Sequence, residues 1–112
     1  MVIIKDLQRL KSCSGLSESV LGDIIRRLSA CLQVEKVILF GSRATGEYKE
    51  VSDIDLAVMG SSLTGTDTAL LRDTLQHQVS TPLKIDLLHL EKVQKPPLLE
   101  QIEKKGIVIY ER

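Results

Sequence analysis

Val37-Ile38-Leu39-Phe40-Gly41-Ser42, then ten residues, then Asp53-Ile54-Asp55-Leu56-Ala57-Val58-Met59 is the stretch that decides the fold. Residues 37–40 are a short, continuous apolar run rich in β-branched side chains and stopped by Gly41. Length and composition favour a strand buried on both faces over a helix. Residues 53–59 read as a second strand. Between them, residues 41–52 are polar and hold two glycines, so they form a loop or a short helix. Side chains alternate along a strand, so Asp53 and Asp55 share one face and Ile54 and Leu56 the other.

Upstream, Ser17 can cap a helix and Glu18 suits its positive end. Val20, Leu21, Ile24, Ile25, Leu28, Cys31 and Leu32 follow at helical spacing, predicting an amphipathic helix of about four turns. Ile3, Ile4, Leu7 and Leu10 fit a short preceding helix only weakly. Downstream, Thr66 is expected to cap a second helix, with Ala69, Leu70, Leu71, Leu75 and Val79 on its inner side and Pro82 closing it. Residues 84–90 read as a third strand. Pro96-Pro97 opens a third helix that stops at Lys104-Lys105-Gly106. Ile107 to Tyr110 is a last strand. The order predicts one α/β (α+β) domain over residues 1–112, with its core at about 15–112 and helices packed on a small sheet.

The chain has 112 residues, long enough for one domain with a real core. Lys+Arg and Asp+Glu are both 15, and aromatics are 3%. Zero net charge argues against a dedicated nucleic-acid binder, and so few aromatics argue against a base-stacking platform. No apolar run reaches the ~18–20 residues of a membrane span. Met1 to Ile4 run at once into Lys5 and Asp6, unlike a signal peptide. Cys13 and Cys31 cannot make a disulfide framework or a four-cysteine zinc site, and read as reduced thiols of a cytoplasmic protein, Cys31 in the core. His77 and His89 have no metal-spaced partner and read as surface or cap residues.

A strand running into a glycine loop suggests phosphate binding, because glycine lets backbone N–H groups approach closely. It is not a Walker A loop. After Gly41 and Gly46 stand Glu47 and Tyr48 where Lys and Ser/Thr are needed. It is not a dinucleotide fingerprint either, since Arg43 takes the second glycine position. An ordinary strand-ending turn remains the bland alternative.

Two carboxylates as close as Asp53 and Asp55 repel, and a divalent cation resolves the conflict. Oxygen ligands of this kind suit Mg²⁺ or Mn²⁺ completed by substrate phosphates and water. Asp86, inside the apolar stretch Ile85-Asp86-Leu87-Leu88, is costly to bury unless it is paired or on a metal. If residues 84–90 lie beside 53–59, Asp86 can join the same face. Three carboxylates could then hold two metal ions on a triphosphate. A strand start at Asp53, and a solvent-facing edge position for Asp86, are the alternatives.

Together, Phe40-Gly41-Ser42, the ten-residue gap, Asp53-Ile54-Asp55-Leu56 and Asp86 resemble the signature of the DNA polymerase beta-like nucleotidyltransferases. Residues 37–44 look particularly like the minimal nucleotidyltransferase (MNT) domains. The likeness covers roughly residues 15–112. It implies the nucleotidyltransferase fold with a small mixed sheet. Gly41 and Ser42 are then expected to bind nucleotide phosphates. Asp53 and Asp55 are expected to hold two Mg²⁺ ions, and Asp86 to complete the site, with a general-base role open to it. Arg43 contacts phosphate or pairs with Glu47 or Glu50. Thr45 departs from the basic residue that many relatives carry.

MNT proteins typically act as antitoxins of HEPN-domain toxins, through complex formation and by adenylylating a toxin tyrosine. The resemblance therefore implies transfer of AMP from ATP to a tyrosine hydroxyl of a HEPN partner, while net charge and the lack of a long apolar run argue against direct contact with nucleic acid or membrane. Two alternatives stay open: a binding module that neutralises its partner by contact alone, and a nucleotidyltransferase acting on a small molecule. A homodimer or a hetero-oligomer is compatible with exposed apolar residues near Leu63 or Leu98-Leu99.

Overall fold

A computed structural model describes residue 10 and residues 14–112 of the chain. The weakly expected first helix, and Cys13, lie outside these residues apart from Leu10, which is buried in the core. Four strands form one sheet: β1 (Lys36–Phe40), β2 (Ile54–Met59), β3 (Ile85–His89) and β4 (Ile107–Glu111), in the order β3-β2-β1-β4. β1 is antiparallel to β2 and to β4, and β2 is parallel to β3, so the sheet is mixed. The helices are α1 (Glu18–Ser29), α2 (Ser42–Thr45), α3 (Gly65–Gln78) and α4 (Pro96–Lys105), with a 3₁₀ turn at Leu90–Lys92.

Both central strands are buried on both faces, as their unbroken apolar runs require. On one face Leu39, Ile54, Leu56, Ile85 and Leu87 meet Leu21, Ile24 and Leu28 of α1 and Leu75 of α3. On the other, Ile38, Phe40 and Ala57 meet Leu90 and Ile102, with Leu98 and Leu99 of α4 packed against them. Asp55 alternates with Ile54 and Leu56, and Asp86 with Ile85 and Leu87. Strand pleating therefore turns both carboxylates off the face that carries Ile54, Leu56, Ile85 and Leu87 and onto the face shared with α4.

Ser17 caps α1 as expected, its hydroxyl accepting from the Val20 N–H at 3.1 Å. The helix ends at Ser29, a turn earlier than its apolar spacing predicts. Leu32 lies beyond it and is 77% exposed. Cys31 is half-buried against the core, its thiol donating to Gln33 Oε1 at 3.3 Å. The cap of α3 is Thr64, not Thr66. The Thr64 hydroxyl accepts from Asp67 N–H, and the Asp67 carboxylate accepts from Thr64 N–H, both at 3.1 Å. The inner stripe runs through Thr68, Leu71, Leu75 and Val79 at helical spacing, so Leu70, 62% exposed, and Ala69, also exposed, fall off it. α4 begins and stops where Pro96 and Gly106 predict. Gly106 is there for space: a Cβ would collide with the Ile102 carbonyl and the Ile38 side chain.

His77 is on the surface beside Asp73, as expected. His89 is not on the surface, since its side chain is only 8% exposed, but it stands at the N-cap position of the 3₁₀ turn, without a side-chain cap bond. Its Nε2 lies 3.3 Å from Glu91 Oε1, and Glu91 in turn accepts from the Gly60 N–H at 2.9 Å. Among the described residues no helix is long and apolar enough to cross a membrane.

Candidate active site

The site lies where the end of β1 meets the beginnings of β2 and β3. In the antiparallel β1–β2 ladder Phe40 pairs with Asp55, which brings Gly41 beside that aspartate. Gly41 has φ of +75° and ψ of −157°, a backbone conformation open essentially to glycine alone. A Cβ on Gly41 would also strike the Asp55 carboxylate. Glycine is thus required twice over, for the turn and for the close approach. Ser42 opens the one-turn α2. Among the described residues its hydroxyl has no hydrogen-bond partner, while its carbonyl accepts from the Glu47 N–H at 3.1 Å.

In the parallel β2–β3 ladder Asp55 stands opposite Asp86. Asp53 lies just before β2 and is exposed, whereas Asp55 and Asp86 are half-buried. The segment is anchored by the Ile54 N–H donating to Lys84 O at 2.9 Å. Asp86 Oδ1 accepts from the Leu87 N–H at 3.1 Å. Burial pushes the Asp55 carboxyl above the usual carboxylate range. The charges of Asp86 and then Asp53 push it further in the same direction, and Lys84 opposes them.

Mg²⁺ or Mn²⁺ is the ion expected on these aspartates. Among the described residues no three acidic, histidine or cysteine side chains are gathered closely enough to hold a metal ion by themselves. The excess negative charge felt by Asp55 nonetheless marks a donor set that a divalent cation would relieve. All-oxygen donors on adjacent strands fit an ion that completes its shell with phosphate oxygens and water.

Arg43 is placed differently from either expectation. It is 2% exposed and reaches neither the Glu47 nor the Glu50 carboxylate. Its guanidinium donates to backbone carbonyls instead: Nε to Ser52 at 3.1 Å, Nη1 to Ser14 at 2.8 Å, and Nη2 to Glu50 at 3.3 Å and Lys49 at 3.4 Å. The Tyr48 ring lies 4.7 Å from its central carbon.

Beside Asp86 opens a cleft of about 370 Å³ lined by Arg72, Asp73, Gln76, Lys84, Ile85 and Asp86. Gln76 ties α3 to this edge: Ile85 N–H donates to its Oε1 at 2.8 Å and its Nε2 donates to Leu83 O at 3.1 Å. Lys84 is a site residue that the sequence reading passed over. The signal was its place two residues before Asp86, the spacing that shares a face in extended chain.

Residues 23–112 match the family described as "Polymerase beta, Nucleotidyltransferase". A solved chain offered as a candidate minimal nucleotidyltransferase is 30% identical, with a TM-score of 0.64 over 84% of this chain and 97% of that one. A toxin–antitoxin crystal structure with AMP-PNP contains a chain 23% identical, with a TM-score of 0.67 over 87% of this chain and 75% of that one. A re-refined structure of the tri-AMPylated Shewanella oneidensis HEPN toxin in complex with its MNT antitoxin contains one that is 22% identical, with a TM-score of 0.64 over 83% of this chain and 71% of that one. At these identities the last two share the fold. No protein of curated function matches the sequence. With a family match across most of its length, carried on a mixed four-stranded sheet, this chain belongs to the polymerase beta nucleotidyltransferases.

Proposed function

We propose that the protein transfers AMP from ATP to a tyrosine hydroxyl of a HEPN-domain partner and thereby acts as its antitoxin. The observation that carries the reading is the register of Asp55 opposite Asp86, with Gly41 pressed against Asp55. The fold shared with chains of an AMP-PNP-bound toxin–antitoxin structure and of an AMPylated HEPN toxin complex supports the choice of nucleotide and acceptor.

In this reading Gly41 and Ser42 bind the triphosphate through backbone N–H groups and the Ser42 hydroxyl. Asp53, Asp55 and Asp86 would hold Mg²⁺, which supplies charge neutralisation to the triphosphate. The tyrosine oxygen attacks the α-phosphorus. The bond from that phosphorus to the bridging oxygen of the β-phosphate breaks, and pyrophosphate leaves. The phenolic proton passes to Asp86, whose Oδ1 is held by the Leu87 N–H. Thr45 adds no positive charge to the loop, and Arg43 lies buried beneath it, so charge on the phosphates must be met from elsewhere.

The test is to mix the protein with a HEPN-domain partner, Mg²⁺ and each of four α-labelled nucleoside triphosphates. Label passing to the partner from ATP alone is the expected result. A stable complex with no label from any nucleotide would overturn the transfer and leave neutralisation by contact as the function. Label passing to an aminoglycoside instead would favour a small-molecule acceptor.

A further inference from the structure

The residue after Ser42 carries a buried charge. Among the described residues no acidic side chain forms an ion pair with Arg43. Burying a cation is costly unless polar groups converge on it. Here the groups that converge are carbonyl oxygens of one short segment, Lys49, Glu50 and Ser52, together with Ser14.

We infer that Arg43 is a positioning residue, fixing segment 49–52 against α2 and so setting where Asp53 stands relative to Ser42. The peptide bond explains how. The Ser52 carbonyl and the Asp53 N–H belong to one planar unit. Holding the Ser52 oxygen with Arg43 Nε at 3.1 Å fixes the plane that leads into Asp53. On the other side, the Ile54 N–H is held by Lys84 O at 2.9 Å. Asp53 thus sits between two anchors, and the first belongs to the helical turn that begins with Ser42.

The segment is already closed on itself. Ser52 N–H donates to Lys49 O at 3.0 Å, and Lys49 N–H to Ser52 Oγ at 2.7 Å. What those bonds cannot do is orient the closed turn relative to the rest of the site. The guanidinium does that, with Tyr48 packed on its face. Its planar fork reaches carbonyls in several directions at once, which an ammonium on a flexible stem cannot copy. Arg43 touches no reacting atom in this account, and its effect on chemistry passes through Asp53.

The experiment uses the full chain with Arg43→Lys, which keeps the charge and loses the fork. Tyr48→Ala loosens the guanidinium without removing it and serves if Arg43→Lys fails to fold. The first readout is backbone amide shifts and hydrogen exchange by NMR. Faster exchange and shift changes confined to Ser14 and residues 47–54, Asp53 included, are expected. The second rests on the proposed AMP transfer: kcat lowered at least tenfold, with KM for ATP changed less than twofold.

A raised KM with unchanged kcat and undisturbed amides at 49–53 would make Arg43 a phosphate contact and overturn the inference. A lowered melting temperature with kcat and the Asp53 amide unchanged would reduce it to general stapling and overturn it equally. If the wild-type protein transfers nothing, the proposed function fails, and the amide readout still decides the role of Arg43.

Discussion

Asp86 stands directly opposite Asp55 on the neighbouring parallel strand, and both lie on the α4 face of the sheet. Each interrupts an apolar strand. Lys84 opposes the shift at Asp55, but its effect is the smallest of the influences acting there. The sheet therefore carries a destabilising concentration of charge at one end of β2 and its edge neighbour β3. Such a feature is expected where function, rather than packing, has set the residue.

That charge has a pH signature. The folded pKa of Asp55 is raised above its unfolded value, so between the two the native state holds the extra proton and stability falls as pH rises. Asp55→Asn removes this loss. In metal-free buffer the variant is expected to melt higher than wild type at neutral pH. The gap should close as pH falls through the folded pKa of Asp55. Thermal unfolding between about pH 4 and 7 measures it. A variant less stable than wild type across the whole range would contradict the account.

Gly41→Ala is expected to damage folding and chemistry together. A side chain at its φ and ψ costs about 1–3 kcal/mol. The new methyl also displaces the Asp55 carboxylate. Denaturant unfolding should show the first effect. Transfer activity should fall by at least about a hundredfold, the scale of losing one well-placed catalytic group. Activity within a few-fold of wild type would show that Asp55 tolerates being moved.

The core makes a separate prediction. Leu56 is fully buried between sheet and helices, so Leu56→Ala should cost about 2–5 kcal/mol. Leu70, although on the apolar side of the sequence pattern, is mostly exposed, and Leu70→Ala should change stability by no more than about 0.5 kcal/mol. Equal losses at the two positions would mean that α3 is rotated from the orientation described.

The strands were legible because they are apolar runs of a length and β-branched content that helices do not share. Ser17 was legible because capping is local: its hydroxyl and the N–H it serves lie three residues apart. Thr64 was missed although it too is local, since the pairing of Thr64 with Asp67 is what distinguishes a capping box from a lone threonine such as Thr66. Leu70 was misassigned separately, because it is apolar but lies off the 68, 71, 75, 79 stripe that the helix buries. Asp53 and Asp55 could be grouped from spacing alone. Whether Asp86 joined them depended on the register of β2 with β3, which no local pattern encodes. Arg43 lay furthest from view. Its acceptors are backbone carbonyls up to 29 positions away in sequence, and carbonyls leave no trace in residue identity. His89 is similar, being buried by its place between β3 and the 3₁₀ turn rather than by its own character.

The central claim is that Asp55 and Asp86, facing each other across β2 and β3, carry out nucleotidyl transfer to a protein tyrosine. Intact-mass and peptide mass spectrometry of a HEPN partner after incubation with ATP and Mg²⁺ tests it most directly, with wild type, Asp55→Asn and Asp86→Asn compared. The account predicts an AMP adduct on a tyrosine with wild type and none with either folded variant. An adduct that persists at wild-type rate with both variants, or a partner bound and neutralised yet unmodified by the wild type, would contradict it.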